Sequence, residues 1–158
     1  MEKRCYKESV FVPRIEKALN VKMKNFTCHV VDQGGMTKVM KKSGWSKNET
    51  QGVVGFHVNK NIYVLNSAPW TTLHELIHQA GINADRINRF LAEGLTEVLA
   101  AELKQGKDEH KATYPQERTW VKETLLPKLN MSAIELGRFI CKSPEPHRDL
   151  AELFIEKG

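Results

Sequence analysis

An α+β domain is predicted by three features of the sequence. Two β-rich runs, Val53–Val58 and Ile62–Leu65, flank a short polar Asn/Lys segment, which is the pattern of a hairpin. From Ser67 onward the apolar spacing becomes helical and stays so. The 158 residues are 41% apolar and 27% charged, enough chain and enough apolar surface for one hydrophobic core. A single domain over residues 1–158 follows, with a small N-terminal sheet that includes the hairpin, then two helices packed on it and further C-terminal helices.

The elements can be justified in order. Val12, Ile15 and Leu19 share one stripe and predict a helix over Val10–Leu19. Asn25–Val31 alternates and reads as a strand ended by Gly34-Gly35, with a second short strand near Lys38–Lys41 before a Ser43-Gly44 turn. After the hairpin, Ser67 or Asn66 caps a helix that places Pro69 near its first turn and stops at Gly81. A second helix spans about Arg86–Lys104. A third begins at Pro115 and is interrupted or ended by Pro127. A fourth starts at Ser132, where Glu135 completes a capping box, and a last one runs over Asp149–Glu156.

Charge and cysteine content narrow the function classes. Residues 1–50 hold 11 Lys/Arg against 5 Asp/Glu, leaving 13 against 14 of the chain's 24 and 19 for the rest. Such a basic third suits nucleic acid or an acidic partner. A solvated face is favoured, because no aromatic platform interleaves with Lys3, Lys7, Lys22, Lys24, Lys38, Lys41, Lys42 and Lys47. Charges at Glu2, Lys3, Arg4, Lys7 and Glu8 stand where a secretory signal carries its apolar core, so a cytoplasmic location is expected. No apolar run approaches the roughly 20 residues of a membrane span. Cys5, Cys28 and Cys141 form no CxxC pair and are read as reduced thiols.

The chemistry lies in His74-Glu75-Leu76-Ile77-His78. Two histidines four apart project from one helix face, so both imidazoles reach one ion. Glu75 sits about 100° round the helix from His74, placed to reach a water on the open side of a metal. A catalytic zinc wants three protein ligands and one open position. The metzincin continuation fails, because Ala84 stands where its third histidine would be. The next helix offers Glu93 and Glu97, four apart on one face opposite Ile87, Leu91, Leu95 and Val98. A metal on Glu93 and a histidine ring N–H on Glu97 would satisfy both carboxylates. Gly94 between them fits a close approach to the metal helix.

Residues 53–104 resemble the gluzincins, thermolysin-like zinc metallopeptidases, and especially their minimal single-domain members. His74, Glu75, His78, Glu93, Gly94 and Glu97 carry the resemblance, while Ala92 replaces the asparagine of the N-E-G segment in zinc aminopeptidases. The resemblance implies Zn2+ held by His74, His78 and Glu93, with Glu97 orienting His74 and Glu75 as general base and acid for peptide-bond hydrolysis. It also implies an oxyanion donor after the glutamate helix. Tyr114 is the first choice, with His110 and His147 as the others, and Tyr114 reads equally as an ordinary half-buried tyrosine. A peptide or protein substrate is expected, and it would add antiparallel to the Val53–Val58 strand. His57 is read as a surface or core histidine rather than a ligand, His29 as structural, and Trp45 and Trp70 as core residues before pocket ones. Two rivals remain: a zinc-stabilised binding module, and a latent peptidase whose residues after Pro146 fill its own cleft.

Overall fold

The computed structural model describes residues 4–157, and Lys3 of the basic third lies outside them. The architecture is α+β, with the strands in the N-terminal half and helices dominating the rest. In β1 (Thr27–Val31), β2 (Gly55–Val58) and β3 (Asn61–Leu65) the sheet order is β1-β3-β2. β3 is central, parallel to β1 and antiparallel to β2, and the expected hairpin turns through Asn59 and Lys60 with Asn59 at φ 55°. Ile62 and Val64 alternate inward on β3, so one sheet face joins the core.

α1 (Glu8–Leu19) buries Phe11, Ile15 and Leu19 against α3 (Thr72–Ala80) and α7 (Ala133–Lys142). Phe11 takes the stripe position expected of Val12, which is half-buried. Lys38–Lys41 is not a strand but part of helix α2 (Gln33–Lys42). Asp32 caps it by accepting from Gly35 N at 2.7 Å, and Met36 and Met40, one turn apart, are buried. A cap and an apolar pair at helical spacing thus overcome the two glycines that read as a strand end.

The cysteine reading is corrected as well: Cys5 and Cys28 form a disulfide tying the approach to α1 to β1, and only Cys141 is free among the described residues. Lys7 and Arg14 brace the same corner on Asp108, at 2.6 and 2.8 Å. No helix among the described residues is long and apolar enough to cross a membrane.

The helical half is built around α4 (Arg89–Leu103), which crosses α3 on one side and meets α5 (Pro115–Trp120) on the other. Pro127 does not end the third helix. A π-turn over Val121–Leu125 joins α5 to α6 (Leu126–Leu129), and its wider bonding accommodates a proline that offers no N–H. Ser132 and Glu135 form the expected capping box on α7. α8 (Pro146–Lys157) starts three residues before the expected Asp149 and packs on α6 and α7. The core runs without a break from Cys5 to Leu153.

Gly94 serves a neighbour other than the one expected. A Cβ there would lie 2.4 Å from the Glu117 carbonyl and 2.7 Å from Val121 Cγ2, so it admits α5 rather than α3. Gly94→Ala should therefore destabilise the fold by about 1–3 kcal/mol, read as a melting temperature several degrees lower. An unchanged melting temperature would show that α5 shifts away freely.

Reducing Cys5–Cys28, which closes a loop of 23 residues, should cost about 3 kcal/mol in chemical denaturation.

Candidate metal centre

His74 and His78 stand one turn apart on α3, where every residue from Thr72 to His78 is buried. The helix follows a 3-10 turn over Pro69–Thr71 and stops at Gly81, whose φ of 133° few other residues adopt. α4 crosses behind with Glu93 and Glu97 one turn apart, started by Asn88, whose side chain accepts from Phe90 N and Leu91 N.

The two helices bring the residues together as their spacing predicted. Glu93 Oε2 lies 3.0 Å from His74 Nε2, and Glu93 Oε1 lies 3.3 Å from His78 Nε2. The other ring nitrogens are held from behind. His74 Nδ1 faces Glu97 Oε1 at 3.1 Å, and His78 Nδ1 donates to the Ile82 carbonyl at 2.6 Å. A carbonyl only accepts, so His78 carries its proton on Nδ1 and turns the Nε2 lone pair to the shared space. Glu97 is fully enclosed. It accepts from the Thr113 hydroxyl at 3.0 Å and from Thr113 N at 3.3 Å, and its second oxygen faces His110 Nε2 at 3.5 Å.

One ligand atom from each of His74, His78 and Glu93 lies within 4.8 Å of the others, so the group can hold a metal ion. The donor chemistry fits that use. Two imidazole Nε2 atoms and one carboxylate converge, and each ring is oriented by an oxygen acceptor on its far side.

The charges are tightly coupled. Burial opposes a charged His74, but hydrogen bonds with Glu93 and Glu97 outweigh it and push the ring up to about 10. Burial likewise opposes a charged Glu93, yet His74 and His78 pull it down to about 2. Glu97, also buried, is held below the ordinary carboxylate range by His110 and His74. Without an ion, a proton on His74 compensates these carboxylates; a dication can take the same place.

A cavity of about 310 Å³ opens over the three ligands, walled by β2 on one side and the Asn83–Asp85 loop on the other. Glu75 is buried at 7% exposure, lines this cavity and makes no hydrogen bond among the described residues. β2 closes directly over it: a Cβ on Gly55 would lie 2.6 Å from Glu75 Oε1. Tyr114 also lines the cavity, with its ring stacked on His74 at 5.7 Å and its hydroxyl beside Arg89. Burial and the nearby Glu93 raise the pKa of that hydroxyl.

Other expected residues lie elsewhere. His110 backs Glu97 rather than facing the cavity, and His147 is exposed at the start of α8, so neither is placed as an oxyanion donor. His57 is on the cavity wall, hydrogen-bonded to Gln79 Oε1 at 2.7 Å. Trp45 is 40% exposed and lines the cavity edge-on to Phe56, which corrects its reading as a core residue. Trp70 lies under Lys111 Nζ, 4.3 Å from the ring centre. His29 is structural as expected, stacked on Tyr63 and 3.1 Å from Asn61 Oδ1. Arg89 and Asp85 also line the cavity, and sequence reasoning missed both. Arg89 was legible as the residue one turn before Glu93 on the same face.

Two rival expectations meet the geometry here. No fourth His, Cys, Asp or Glu joins the ligand group among the described residues. α8 packs on α6 and α7, and no described residue beyond Tyr114 lines the cavity. No family model, curated protein or solved structure matches this chain.

Equilibrated with zinc and desalted, the protein should keep about one ion per chain by atomic emission. Glu93→Ala should keep none, and Glu97→Ala should bind about 10–100-fold more weakly. Full retention of zinc by Glu93→Ala would remove Glu93 from the ligand set.

Proposed function

We propose that this chain is a zinc-dependent peptidase that hydrolyses peptide bonds. The observation that carries the reading is a division of labour in one small space. His74, His78 and Glu93 converge on a common point, while Glu75, on the same helix, faces the cavity with its carboxylate uncommitted. The resemblance of residues 53–104 to the gluzincins supports the same assignment.

Zinc is the ion proposed, since two imidazoles and a carboxylate with an open position are its catalytic donor set. When bound, it polarises a carbonyl and acidifies a water. Glu75 then accepts the proton of the attacking water and passes it to the leaving amine. Burial keeps that carboxylate from being dispersed in solvent, and Gly55 leaves it the space to stand under β2. The Tyr114 hydroxyl, at the cavity wall, donates to the oxygen that becomes negative as the carbonyl is attacked. Glu97, enclosed by Thr113 and His110, fixes the His74 ring from behind.

A peptide or protein is the proposed substrate. β2 is an edge strand on the cavity wall, so an extended chain can pair with its free backbone groups. Nucleic acid is not favoured as a partner, because none of the described lysines up to residue 50 lines the cavity. The cytoplasmic location expected from the charged first residues stays a proposal. The Cys5–Cys28 bridge bears against it, since cytosolic thiols are kept reduced.

Glu75→Gln should bind zinc as the wild type does and lose at least about a hundredfold in peptide hydrolysis. Equal cleavage by the variant would remove Glu75 from the chemistry. Gly55→Ala should likewise keep its zinc while hydrolysis falls by about a hundredfold, because the added methyl displaces the Glu75 carboxylate. Undiminished hydrolysis by Gly55→Ala would show that Glu75 works from another position.

A further inference from the structure

Arg89 is the cavity residue to which the proposed chemistry gives no task. It is the first residue of α4 and lines both the cavity over His74 and His78 and an adjoining one that runs past Gly55 to Glu49. No other lysine or arginine among the described residues lines either space. Around it the walls are acidic, with Glu75, Glu93 and Asp85.

A guanidinium in such surroundings would ordinarily pair with a carboxylate of its own helix. Glu93, one turn on, stands in the position for it. Instead Glu93 turns both oxygens to His74 and His78, and no ion pair reaches Arg89 among the described residues. The Tyr114 hydroxyl stands beside it. Two backbone donors at the start of α4, Phe90 N and Leu91 N, are already taken by Asn88 Oδ1, at 2.9 and 3.3 Å. The anion-seeking group at this end of the cavity is therefore the Arg89 side chain and not the helix terminus.

Building on the peptidase reading, we propose that Arg89 binds a carboxylate of the substrate beside the bond to be cut. Arginine presents its N–H donors as a planar fork that matches a carboxylate at two points. The carboxylate has two sources with the same chemistry. A chain terminus would make the enzyme trim peptides from their C-terminal end. An Asp or Glu side chain would direct it to acidic sequences within a chain.

Binding to the zinc-loaded Glu75→Gln protein tests this without turnover. Three probes are titrated by calorimetry: Ala-Phe-Ala with a free carboxylate, its C-terminal amide, and N-acetyl-Ala-Glu-Ala amide. At least one acid-bearing peptide should bind about tenfold or more tightly than Ala-Phe-Ala amide, and which one does so identifies the source. Adding Arg89→Gln should abolish that preference with the melting temperature unchanged, and Arg89→Lys should restore part of it. Equal affinity for all three probes, no binding of any, or a preference that survives Arg89→Gln would overturn the proposal. The two readings fail separately. Peptide hydrolysis by the wild type without a carboxylate preference sinks only the role of Arg89. A preference without any hydrolysis sinks only the peptidase.

Discussion

Three carboxylates and two imidazoles share the narrow space where α3 crosses α4, and their mutual compensation is the constraint on everything around them. Glu75, Glu93 and Glu97 would repel one another in so buried a place. His74 relieves the strain by standing between Glu93 and Glu97, and His78 meets the other oxygen of Glu93. Hydrophobic packing sets the distance at which this works. Leu73, Leu76 and Ile77 on α3 and Leu91, Leu95 and Leu99 on α4 are all buried in the core. Two glycines then close the arrangement from opposite sides. Gly94 lets α5 press against the back of α4, and Gly55 lets β2 press over Glu75. A methyl at either point collides with backbone or carboxylate, so neither contact tolerates ordinary side-chain variety.

Much of this was legible in the sequence because periodicity is local. The hairpin, the H-E-x-x-H helix and the glutamate helix each announce themselves within a dozen residues, and helical spacing alone places His74 with His78 and Glu93 with Glu97. A histidine ring N–H for Glu97 followed from asking what an inward carboxylate needs, and the gluzincin resemblance implied that the ring is that of His74. What escaped was either weak locally or decided at long range. Asp32, Met36 and Met40 make α2 a helix against the warning of two glycines. The Cys5–Cys28 pairing spans 23 residues and has no signature in spacing. Pro127 reads as a stop, whereas a π-turn carries the chain past it. Gly94 announced a close approach but not which helix approaches. His110 could be named as a histidine near the site, yet only folding decides that it backs Glu97 instead of facing the cavity.

The site is arranged in depth. Lining the cavity stand the groups proposed to meet a ligand: His74, His78, Glu93, Glu75, Tyr114 and Arg89. Behind them stand the groups that hold these still: Glu97, the Ile82 carbonyl, Thr113 and His110. That order suits an open, reactive ion better than a structural one, because a closed structural site needs a fourth protein ligand. The proposed role of Arg89 follows the same logic, since Glu93 turns toward the histidines and leaves a cation at the cavity wall.

The most direct measurement is a zinc-edge anomalous diffraction map of crystals grown with zinc. A single peak bonded to His74 Nε2, His78 Nε2 and a Glu93 oxygen at about 2.0–2.2 Å, with its remaining position open to the cavity, is the expected result. A fourth protein ligand, or no peak between α3 and α4, would contradict it.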